Sequence, residues 1–582
     1  MSDPHIRAAP YVAEPRVTMI RRPDGALILT NPWPLRPAFR FVWEPLAHWA
    51  RETPQATWLA AWTGDGWAPV SYADGWARVQ ALAAGLVARI GAGRRIAILS
   101  GNSIPHALMA YAAALAGGSV AVITPAYSLA AATPDRLRAA LAAARPDAVW
   151  AEAADFARAL DWIADLGLAV LPARVEDGAG EAADAPALPI DPEAPAKILL
   201  TSGSTGAPKA VVMTHRNLCA NAAQIRSTFD AGAEAADWGR IIMLNALPWA
   251  HSLGGNAVLH MLTTAGGTLH IDPGAPTPKG VAGTLDALRT LSPNYHITVP
   301  AGWSLLVAAL EQDDALAARF FGALRIAQYG GASLPAALIE RLQALAVRAT
   351  GRQVTLAAGY GATETGPTVC NVHWLNQRAG MVGLPVPGLE LKLVPAGEKW
   401  EARVKGPGVM PGYLEDPERT AAAFDAEGFY RLGDALRFVD PDRPEAGLAF
   451  DGRLAEEFKL ASGVWVNAGE VATALVSAGA GQITHAAVCG ENAEALSAIL
   501  FAAPGSAPSR EALAALLSRC NAGKPPSRQV LRAVLADGPP DLSAGEITDK
   551  GTLNQGLARA RRAGLVARLA TGEGDDLITP AG

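Results

Sequence analysis

A run of small and polar residues interrupts an apolar stretch near residue 200. Ile198-Leu199-Leu200 is followed by Thr201-Ser202-Gly203-Ser204-Thr205-Gly206-Ala207-Pro208-Lys209 and then by the apolar run 210–213. Nucleotide phosphates need many hydrogen-bond donors on a flexible backbone, which glycines, hydroxyls and Lys209 can supply. The string is not the GxxxxGK[ST] loop, because Lys209 follows a proline and no Ser or Thr follows it. The pattern predicts a phosphate-binding loop between two strands, with Thr214 capping the next helix.

Three further polar strings follow this loop along the chain. They are Gly359-Tyr360-Gly361-Ala362-Thr363-Glu364-Thr365-Gly366, then Gly428-Phe429-Tyr430-Arg431-Leu432-Gly433-Asp434, then Asp451-Gly452-Arg453 with Lys459. A carboxylate such as Glu364 is a hard oxygen ligand suited to Mg²⁺, and a tyrosine between glycines can lie flat on a base. Asp434 can accept two hydrogen bonds at once. These strings hold the candidate binding residues.

The segments around the strings alternate between helical and strand patterns. Apolar residues at 76, 79, 82, 86 and 90 recur at helical spacing, and 95–99 and 148–150 have the pattern of buried strands. Thr133-Pro134 is typical of a helix start. This alternation favours a layered α/β architecture with substantial parallel sheet. Residues 1–35 are predicted to be irregular and 173–195 to form a surface loop.

The alternation resumes late in the chain and predicts a separate small α/β unit. Its predicted elements are a helix at 468–477, strands at 483–489 and 496–503, a helix at 509–520, a strand at 528–535 and a helical tail at 554–570.

Composition limits the class of protein. The chain has 582 residues, which favours two or more domains, and it is 50% hydrophobic and 18% charged. A net charge of −6 gives no reason to expect a nucleic-acid or membrane partner. The apolar stretch 107–125 is broken by Gly117-Gly118. It therefore predicts a helix, a turn and a strand instead of a membrane span.

Cysteine spacing and the N-terminus bear on the cellular compartment. The four cysteines lie far apart with no CxxC pair, which is typical of reduced thiols in a cytoplasmic protein. The first fifteen residues lack a basic start followed by an apolar run, so we expect no signal peptide. The sequence does not indicate an oligomeric state.

The four polar strings, in this order, resemble the signatures of the adenylate-forming superfamily, acyl-CoA synthetase branch. The resemblance implies an N-terminal extension (1–35), a large AMP-binding domain (36–452) with layered α/β structure and a smaller β subdomain, and a small mobile α/β C-terminal domain (453–582). It also implies that ATP, Mg²⁺ and coenzyme A are used.

The resemblance assigns a role to each candidate residue. It implies that Tyr360 stacks on adenine, Thr363 contacts phosphate and Glu364 holds Mg²⁺. It further implies that Asp434 accepts the ribose hydroxyls and that Arg453 contacts the ribose from a hinge. The full set of implied nucleotide-binding residues is Thr201, Ser202, Gly203, Ser204, Thr205, Gly206, Lys209, Gly331, Ala332, Gly359, Tyr360, Thr363, Asp434 and Arg453.

The implied acyl pocket and catalytic groups include residues outside the four strings. His251 resembles the family histidine at the mouth of the acyl pocket, and Gly330-Gly331-Ala332 resembles the loop that lines it. The resemblance implies four catalytic residues: Lys209, His251, Lys459 and Lys550. Lys550 is implied for adenylation, and Lys459 for the step after domain rotation. The family's terminal Gly-Lys pair is here Gly545-Glu546, so Lys550 is the nearest lysine; its other interpretation is a solvated side chain beside Asp549. Ala455 and the lysine-to-glycine spacing before Gly463 also depart from the pattern.

The branch within the superfamily follows from longer matches. Only residues 551–582 follow Lys550, so we expect a free-standing enzyme and not a peptide-synthetase module. Segments such as Leu247-Pro248-Trp249, Gly383–Lys392, Phe450–Lys459 and Gly545–Lys550 resemble bacterial feruloyl-CoA synthases. The resemblance implies an acid–CoA ligase acting on hydroxycinnamates. The alternatives are a ligase for another aryl or fatty acid, and a non-catalytic nucleotide- or acyl-binding protein.

Overall fold

The computed structural model describes most of the chain in two compact units. The described residues are 14–36, 39–152, 154–174, 188–202, 208–230, 239–375, 378–397, 399–462, 464–479, 481–541, 544–547 and 553–581. The larger unit holds the described residues up to Thr201, then Pro208–Leu432 and Arg437–Phe450. The smaller unit holds Gly433–Leu436 and the described residues from Asp451 onward.

Strands and helices alternate along both units. The strands are β1 (Thr18–Arg21), β2 (Leu27–Thr30), β3 (Thr57–Trp62), β4 (Trp67–Ser71), β5 (Arg95–Leu99), β6 (Ser119–Ile123), β7 (Ala148–Ala151), β8 (Ala169–Val170), β9 (Pro195–Ser202), β10 (Pro208–Thr214), β11 (Ile242–Asn245), β12 (Thr268–Ile271), β13 (Tyr295–Thr298), β14 (Ile326–Gly330), β15 (Thr355–Tyr360), β16 (Cys370–Val372), β17 (Met381–Pro385), β18 (Glu390–Ala396), β19 (Lys399–Lys405), β20 (Tyr430–Phe438), β21 (Leu448–Arg453), β22 (Glu457–Lys459), β23 (Trp465–Asn467), β24 (Ile483–Cys489), β25 (Leu496–Ala502) and β26 (Val530–Leu535). The α-helices are α1 (Glu44–Glu52), α2 (Tyr72–Ile90), α3 (Ile104–Leu115), α4 (Asp135–Ala144), α5 (Ala157–Trp162), α6 (His215–Asp230), α7 (Met261–Thr264), α8 (Val281–Thr290), α9 (Pro300–Leu310), α10 (Asp314–Ala323), α11 (Ala336–Thr350), α12 (Pro417–Ala423), α13 (Ala468–Ala478), α14 (Arg510–Asn521), α15 (Gln555–Arg561) and α16 (Ala563–Thr571).

A six-stranded sheet carries the first polar string. Its order is β10-β9-β6-β5-β7-β8, and the pairs from β9 through β8 are parallel. The side chains of β5 alternate between two cores: Ile96 and Ile98 pack with α2 and α3, while Ala97 and Leu99 pack with α4 and α5. A strand buried on both faces is a continuous apolar run, which is why the sequence of β5 shows no polar alternation.

An eleven-stranded sheet positions the second and third strings. Its order is β1-β2-β18-β19-β20-β21-β17-β16-β15-β14-β13, with a parallel part at β13–β15. Helices α8–α11 supply the core against that part, including Trp303, Phe320 and Leu342. Because β14 and β15 are parallel neighbours, the loops after them emerge at the same edge, where ligands bind in open α/β sheets. A four-stranded sheet of order β11-β12-β3-β4 completes the larger unit's regular structure among the described residues.

The chain start is not the irregular extension that the sequence suggested. Strands β1 and β2 form an antiparallel hairpin, and β2 pairs with β18 through Thr30↔Glu390 and Leu27↔Leu393. Leu27 and Leu29 are buried, whereas the four residues of β1 are exposed. That prediction is therefore wrong for residues 18–30. The sequence misled because half of the hairpin is solvent-exposed on the edge of the sheet.

The smaller unit is built on a three-stranded sheet, β24-β25-β26, with a separate hairpin, β22-β23. The alternating side chains of β25 divide between two layers of helices. Leu496 and Leu500 pack with α13 and α14, and Ile499 and Phe501 pack in the core beneath α15 and α16. The predicted helix and strand order from residue 468 onward is confirmed. The helical tail was predicted correctly, although it is divided into α15 and α16 at Arg562.

The predicted α/β class, with its parallel sheets in a large N-terminal region, is confirmed. The stretch 107–125 is α3, a turn and β6, as its glycines predicted. Among the described residues, no helix is both long and apolar enough to cross a membrane.

Candidate active site

The first polar string connects the end of β9 to the start of β10, the place predicted for a phosphate loop. Thr201 and the backbone of Ser202 finish β9, and Lys209 lies near the start of β10. Gly203, Ser204, Thr205 and Gly206 lie outside the described residues, so their phosphate contacts stay a prediction. The predicted cap of α6 is confirmed, because the Asn217 N–H donates to Thr214 Oγ1 at 3.1 Å. The Thr214 N–H donates to Asn217 Oδ1 at 3.0 Å in return.

Lys209 faces an aromatic ring that the sequence did not single out. Its Nζ lies 5.6 Å from the centre of the Tyr413 ring, within the range of a cation–π contact. The backbone holds the two together, because Tyr413 forms an antiparallel bridge with Val211 of β10. The Leu414 N–H donates to the Ala210 carbonyl at 2.8 Å. A tyrosine between two motifs gives no sequence signal of its own; only this pairing brings it to the site.

Glu364 lies in a short 3₁₀ turn, Thr363–Thr365, directly after β15 and Gly361. It is 8% exposed, and the Tyr413 hydroxyl donates to its Oε1 at 3.0 Å. Its own carbonyl accepts from the Met410 N–H at 2.8 Å. Burial and the charge of Glu364 raise the pKa of Tyr413, so the phenol stays protonated and can donate. Only glycine fits at 361, where a Cβ would lie 2.0 Å from the Pro367 carbonyl oxygen.

The donor set around Glu364 fits Mg²⁺ carried on a nucleotide. Among the described residues, no three His, Cys, Asp or Glu side chains are grouped to hold a metal ion. Glu364 is nevertheless a buried carboxylate, and among the described residues the side-chain donor to it, the Tyr413 hydroxyl, contacts only Oε1. Mg²⁺ in nucleotide sites takes one or two carboxylates, with phosphates and waters as its other ligands. Glu364 can supply such a ligand through Oε2.

The segment that contains His251 packs against this turn. Ser252 Oγ lies 3.5 Å from Thr363 Oγ1, and Asn256 Nδ2 donates to the Gly366 carbonyl at 3.1 Å. The His251 N–H donates to the Pro248 carbonyl at 3.0 Å, and the His251 carbonyl accepts from the Gly255 N–H at 2.8 Å. The imidazole is half-buried. The structure therefore brings His251 and Thr363 into adjoining segments.

Lys197 of β9 is a second residue that the sequence analysis missed. Its Nζ donates to the Trp249 carbonyl at 3.2 Å and to Asn256 Oδ1 at 3.3 Å. Desolvation of this ammonium lowers its pKa to about 7. Gly255 makes room for it, since a Cβ there would lie 2.3 Å from Nζ. Lys197 thus connects the phosphate-loop strand to the His251 segment; a charged residue in a strand otherwise rich in apolar side chains was the available signal.

Residues implied at the acyl pocket and at the nucleotide lie at the ends of neighbouring strands. Gly330 of β14 and Gly359 of β15 are register partners. A Cβ on Gly330 would approach the Leu253 side chain to 3.3 Å, so a larger residue here would crowd Leu253. Gly331 has a φ of +82°, and both Gly331 and Ala332 are exposed. Tyr360 is half-buried, with its ring centre 6.5 Å from that of Phe450.

Asp434 and Arg453 meet within the smaller unit. Arg453 Nε lies 3.5 Å from Asp434 Oδ1. The Asp434 side chain is 10% exposed and that of Arg453 is 65% exposed. Burial raises the pKa of Glu456, which feels the opposing charges of Arg453 and Asp434. An acid held below the surface beside an exposed arginine is an arrangement that can accept hydroxyl groups from a ligand.

Lys459 lies on the hairpin that follows. It is opposite Trp465 in the β22–β23 register, and its Nζ lies 4.8 Å from the centre of that indole. Both side chains are exposed. Gly463 lies outside the described residues.

Glu546, which stands where the family's terminal lysine is expected, has a structural role. It is 1% exposed and accepts from the Asp541 N–H at 2.7 Å, from Arg561 Nε at 3.0 Å and from Arg562 Nη2 at 3.0 Å. Burial alone would raise the pKa of Glu546, but the bonds from Arg562 and Asp541 hold it below its usual range. Lys550 lies outside the described residues, so its catalytic role stays a prediction.

Comparison with known proteins places the chain in a family. The family described as AMP-binding enzyme matches residues 46–414. The chain belongs to this family. In this AMP-binding enzyme the matched region contains Lys209, His251, Glu364 and Tyr413, and it stops before Asp434 and Arg453. The resemblance that the polar strings indicated is thus confirmed at the level of the family.

Individual relatives are similar over part of their length. A long-chain-fatty-acid–CoA ligase of Escherichia coli O6:H1 is 32% identical over 266 residues, which is 42% of this chain and 44% of that protein. 4-Coumarate–CoA ligase 2 of Oryza sativa subsp. japonica is 30% identical over 272 residues, 44% of this chain and 45% of that protein. The alignments thus span under half of each relative. ATP-bound MatB from Rhodopseudomonas palustris has the same fold, with a TM-score of 0.71, 21% identity, and coverage of 90% of this chain and 99% of that one.

Proposed function

We propose that this AMP-binding enzyme is an ATP-dependent acid–CoA ligase that forms an acyl-adenylate and then an acyl-CoA thioester. The observation that carries the proposal is the meeting of three separate segments. Lys209 and Glu364, from the first and second polar strings, both contact Tyr413. The His251 segment reaches the same turn through Ser252 and Thr363. The two ligase relatives named above support the reaction class.

The first half-reaction replaces a poor leaving group by a good one. A carboxylate oxygen attacks the α-phosphorus of ATP, the α–β phosphoanhydride bond breaks, and pyrophosphate leaves. Glu364 would hold Mg²⁺, which would supply charge neutralisation for the phosphates in this step. Lys209 offsets phosphate charge from its place over Tyr413, and Thr363 offers a hydroxyl at the turn. Lys550, from the C-terminal segment, is proposed to add a second ammonium at the α-phosphate.

The nucleoside and the second half-reaction need further residues. Tyr360 is proposed to stack on adenine beside Gly331 and Ala332, and Asp434 with Arg453 to bind the ribose. In the second half-reaction the CoA thiolate attacks the acyl carbonyl, the acyl–phosphate bond breaks, and AMP leaves. Lys459 is proposed to serve this step, with 453–582 acting as the domain that moves between the two half-reactions.

For the acid itself we propose a hydroxycinnamate, with feruloyl-CoA as the product. The segments that resemble feruloyl-CoA synthases motivate this choice, and one of the named relatives is a 4-coumarate–CoA ligase. The E. coli relative is a long-chain-fatty-acid–CoA ligase, so a fatty acid is the second candidate.

The decisive experiment measures pyrophosphate release with ATP and Mg²⁺ over ferulate, p-coumarate, caffeate, benzoates and fatty acids, with and without CoA. We expect release with hydroxycinnamates and a CoA thioester when CoA is present. Release with fatty acids alone would overturn the hydroxycinnamate assignment. Folded protein that binds ATP by thermal shift yet releases no pyrophosphate with any acid would support the non-catalytic alternative.

Lys550→Ala separates the two half-reactions. Adenylation should fall about 100-fold, the scale for losing one preorganised transition-state donor. Thioester formation from presynthesised acyl-adenylate and CoA should stay near the wild-type rate. Normal adenylation would show that another lysine serves the α-phosphate, and equal loss in both steps would indicate damage to the whole C-terminal unit.

A further inference from the structure

Tyr413 connects three of the polar strings, although it belongs to none of them. Its ring faces Lys209 of the first string, and its hydroxyl donates to Glu364 of the second. Tyr430, from the third string, makes a side-chain hydrogen bond with Tyr413. Hydrogen bonds therefore link Tyr430, Tyr413 and Glu364 in one chain.

The backbone around Tyr413 is fixed on both sides. On one side, the Leu414 N–H and the Gly412 carbonyl bond to β10, and the Tyr413 N–H donates to Thr420 Oγ1 at 2.9 Å. On the other, Asn217 Nδ2 at the start of α6 donates to the carbonyls of Pro407 and Val409, each at 2.9 Å. The Met410 N–H then reaches the Glu364 carbonyl. The segment 407–414 thus holds both the backbone and the side chain of Glu364.

Glu364 would otherwise be able to turn. A glutamate has three side-chain torsions, and a carboxylate buried without a donor is costly to keep charged. One hydrogen bond to Oε1 removes both problems, because it orders the side chain and stabilises its charge while Oε2 keeps its capacity to bind a cation. Tyr413 is 7% exposed, so water competes poorly for this bond.

From this geometry we infer that Tyr413 is a positioning residue for the nucleotide-bound divalent cation: its hydroxyl orients Glu364 as a metal ligand, and its ring holds Lys209 at the phosphates. The inference rests on the proposed function for the identity of the nucleotide. It assigns Tyr413 to the adenylation half-reaction and gives it no part in thioester formation.

Two substitutions separate the contribution of the Tyr413 hydroxyl from that of its ring. Tyr413→Phe removes the donor and leaves an aromatic face beneath Lys209, whereas Tyr413→Leu removes both. Tyr72→Phe is the matched control, because Tyr72 is fully buried and its hydroxyl donates to the Gly267 carbonyl at 2.7 Å, in a different part of the larger unit. Tyr430→Phe removes only the outer member of the chain and replaces Tyr413→Phe if that variant does not fold.

The first measurement is Mn²⁺ binding, by electron paramagnetic resonance, to protein saturated with a non-hydrolysable ATP analogue. Tyr413→Phe should weaken Mn²⁺ affinity about tenfold, the lower end for losing a bond to a charged group. Tyr430→Phe should weaken it less, and Tyr72→Phe should leave it unchanged. Tyr413→Leu should add a loss of affinity for the analogue itself. This measurement needs no turnover, so it decides the role of Tyr413 even if no acid proves to be a substrate.

The second measurement is the Mg²⁺ dependence of each half-reaction. In Tyr413→Phe, half-saturation of pyrophosphate release should move to about tenfold higher Mg²⁺, while thioester formation from acyl-adenylate is unchanged. Wild-type Mn²⁺ affinity in folded Tyr413→Phe would overturn the inference. So would equal losses in Tyr413→Phe and Tyr72→Phe, since both would then reflect only a missing buried hydroxyl.

Discussion

Two buried glutamates in this chain have opposite surroundings. Glu546 is 1% exposed and accepts bonds from two arginines and a backbone N–H. Glu364 is 8% exposed, and the described residues supply it with one side-chain donor, the Tyr413 hydroxyl. The lone pairs of Glu546 are occupied by the protein, whereas Glu364 keeps coordination capacity. A buried acid with few protein donors is a candidate for binding something from outside, and a fully satisfied one is a candidate for stability.

The largest expected effect is on stability, in Glu546→Ala. The substitution leaves Arg561 and Arg562 without their shared acid, and breaking a buried ion pair from one side costs several kcal/mol. Solvent screens the Arg561 side chain, which is 46% exposed, so we expect the low end of that cost. The free energy of unfolding should fall by about 3 kcal/mol. Urea denaturation measures it. The control is Glu491→Ala, which removes an exposed acid in the same unit and should change stability by under about 0.5 kcal/mol. Similar losses in both variants would contradict a stabilising role for the buried Glu546.

The opposite result is expected for Glu364→Gln. The amide oxygen still accepts from Tyr413, so the unfolding free energy should hardly change. Metal-dependent pyrophosphate release should fall about 100-fold, close to 2.7 kcal/mol, because a neutral amide is a poor ligand for Mg²⁺. Glu546→Gln, measured in parallel as folded protein, should keep its rate. A Glu364→Gln enzyme with an unchanged Mg²⁺ titration would contradict the proposed ligand.

An effect of the same size or smaller is expected for Asp434→Ala, whose acid is also sheltered from solvent. ATP affinity should weaken by about 1.5–3 kcal/mol, the range for one hydrogen bond to a charged group, while the fold survives. Isothermal titration with ATP gives the dissociation constant, and near-wild-type unfolding confirms the fold. An unchanged dissociation constant would exclude Asp434 from the nucleotide site.

The smallest expected effect is a pH dependence of stability from Glu546. The folded pKa of Glu546 lies below its unfolded value of about 4.3, so its contribution is complete above that pH and is lost as the pH falls below it. The difference in unfolding free energy between the wild type and Glu546→Gln should therefore shrink between about pH 5 and pH 3. A difference that grows in this range would mean that the pKa of Glu546 is raised instead.

Much of the fold could be predicted from the sequence, because regular elements leave periodic patterns. The apolar positions of α2 and the unbroken apolar runs of β5 and β6 come from packing on one helix face or on both faces of a sheet. The β1–β2 hairpin could not be found this way, since its exposed outer strand has no buried face to impose a pattern. Its place depends on pairing with β18, hundreds of residues away.

The residues of the candidate site also fall into two groups: those that a local sequence pattern indicates and those that only the fold reveals. Glu364 and Lys209 lie in strings whose glycines and hydroxyls mark a ligand loop, so the sequence pointed to them. Tyr413 and Lys197 act through contacts with residues far along the chain: Glu364 for the first, Trp249 and Asn256 for the second. Nothing local distinguishes such residues from an ordinary buried tyrosine or a strand lysine. Only the folded geometry identifies them.

The pairing of the N-terminal hairpin with β18 also sets an order of events during synthesis. Thr30 and its partner Glu390 are about 360 residues apart, and at roughly 5–20 residues per second a ribosome needs tens of seconds to join them. Through that interval β2, whose Leu27 and Leu29 are buried in the finished sheet, lacks its partner β18. The first strands made are thus among the last to be completed, and the nascent chain offers an apolar edge to chaperones, or to its neighbours, until its middle has emerged.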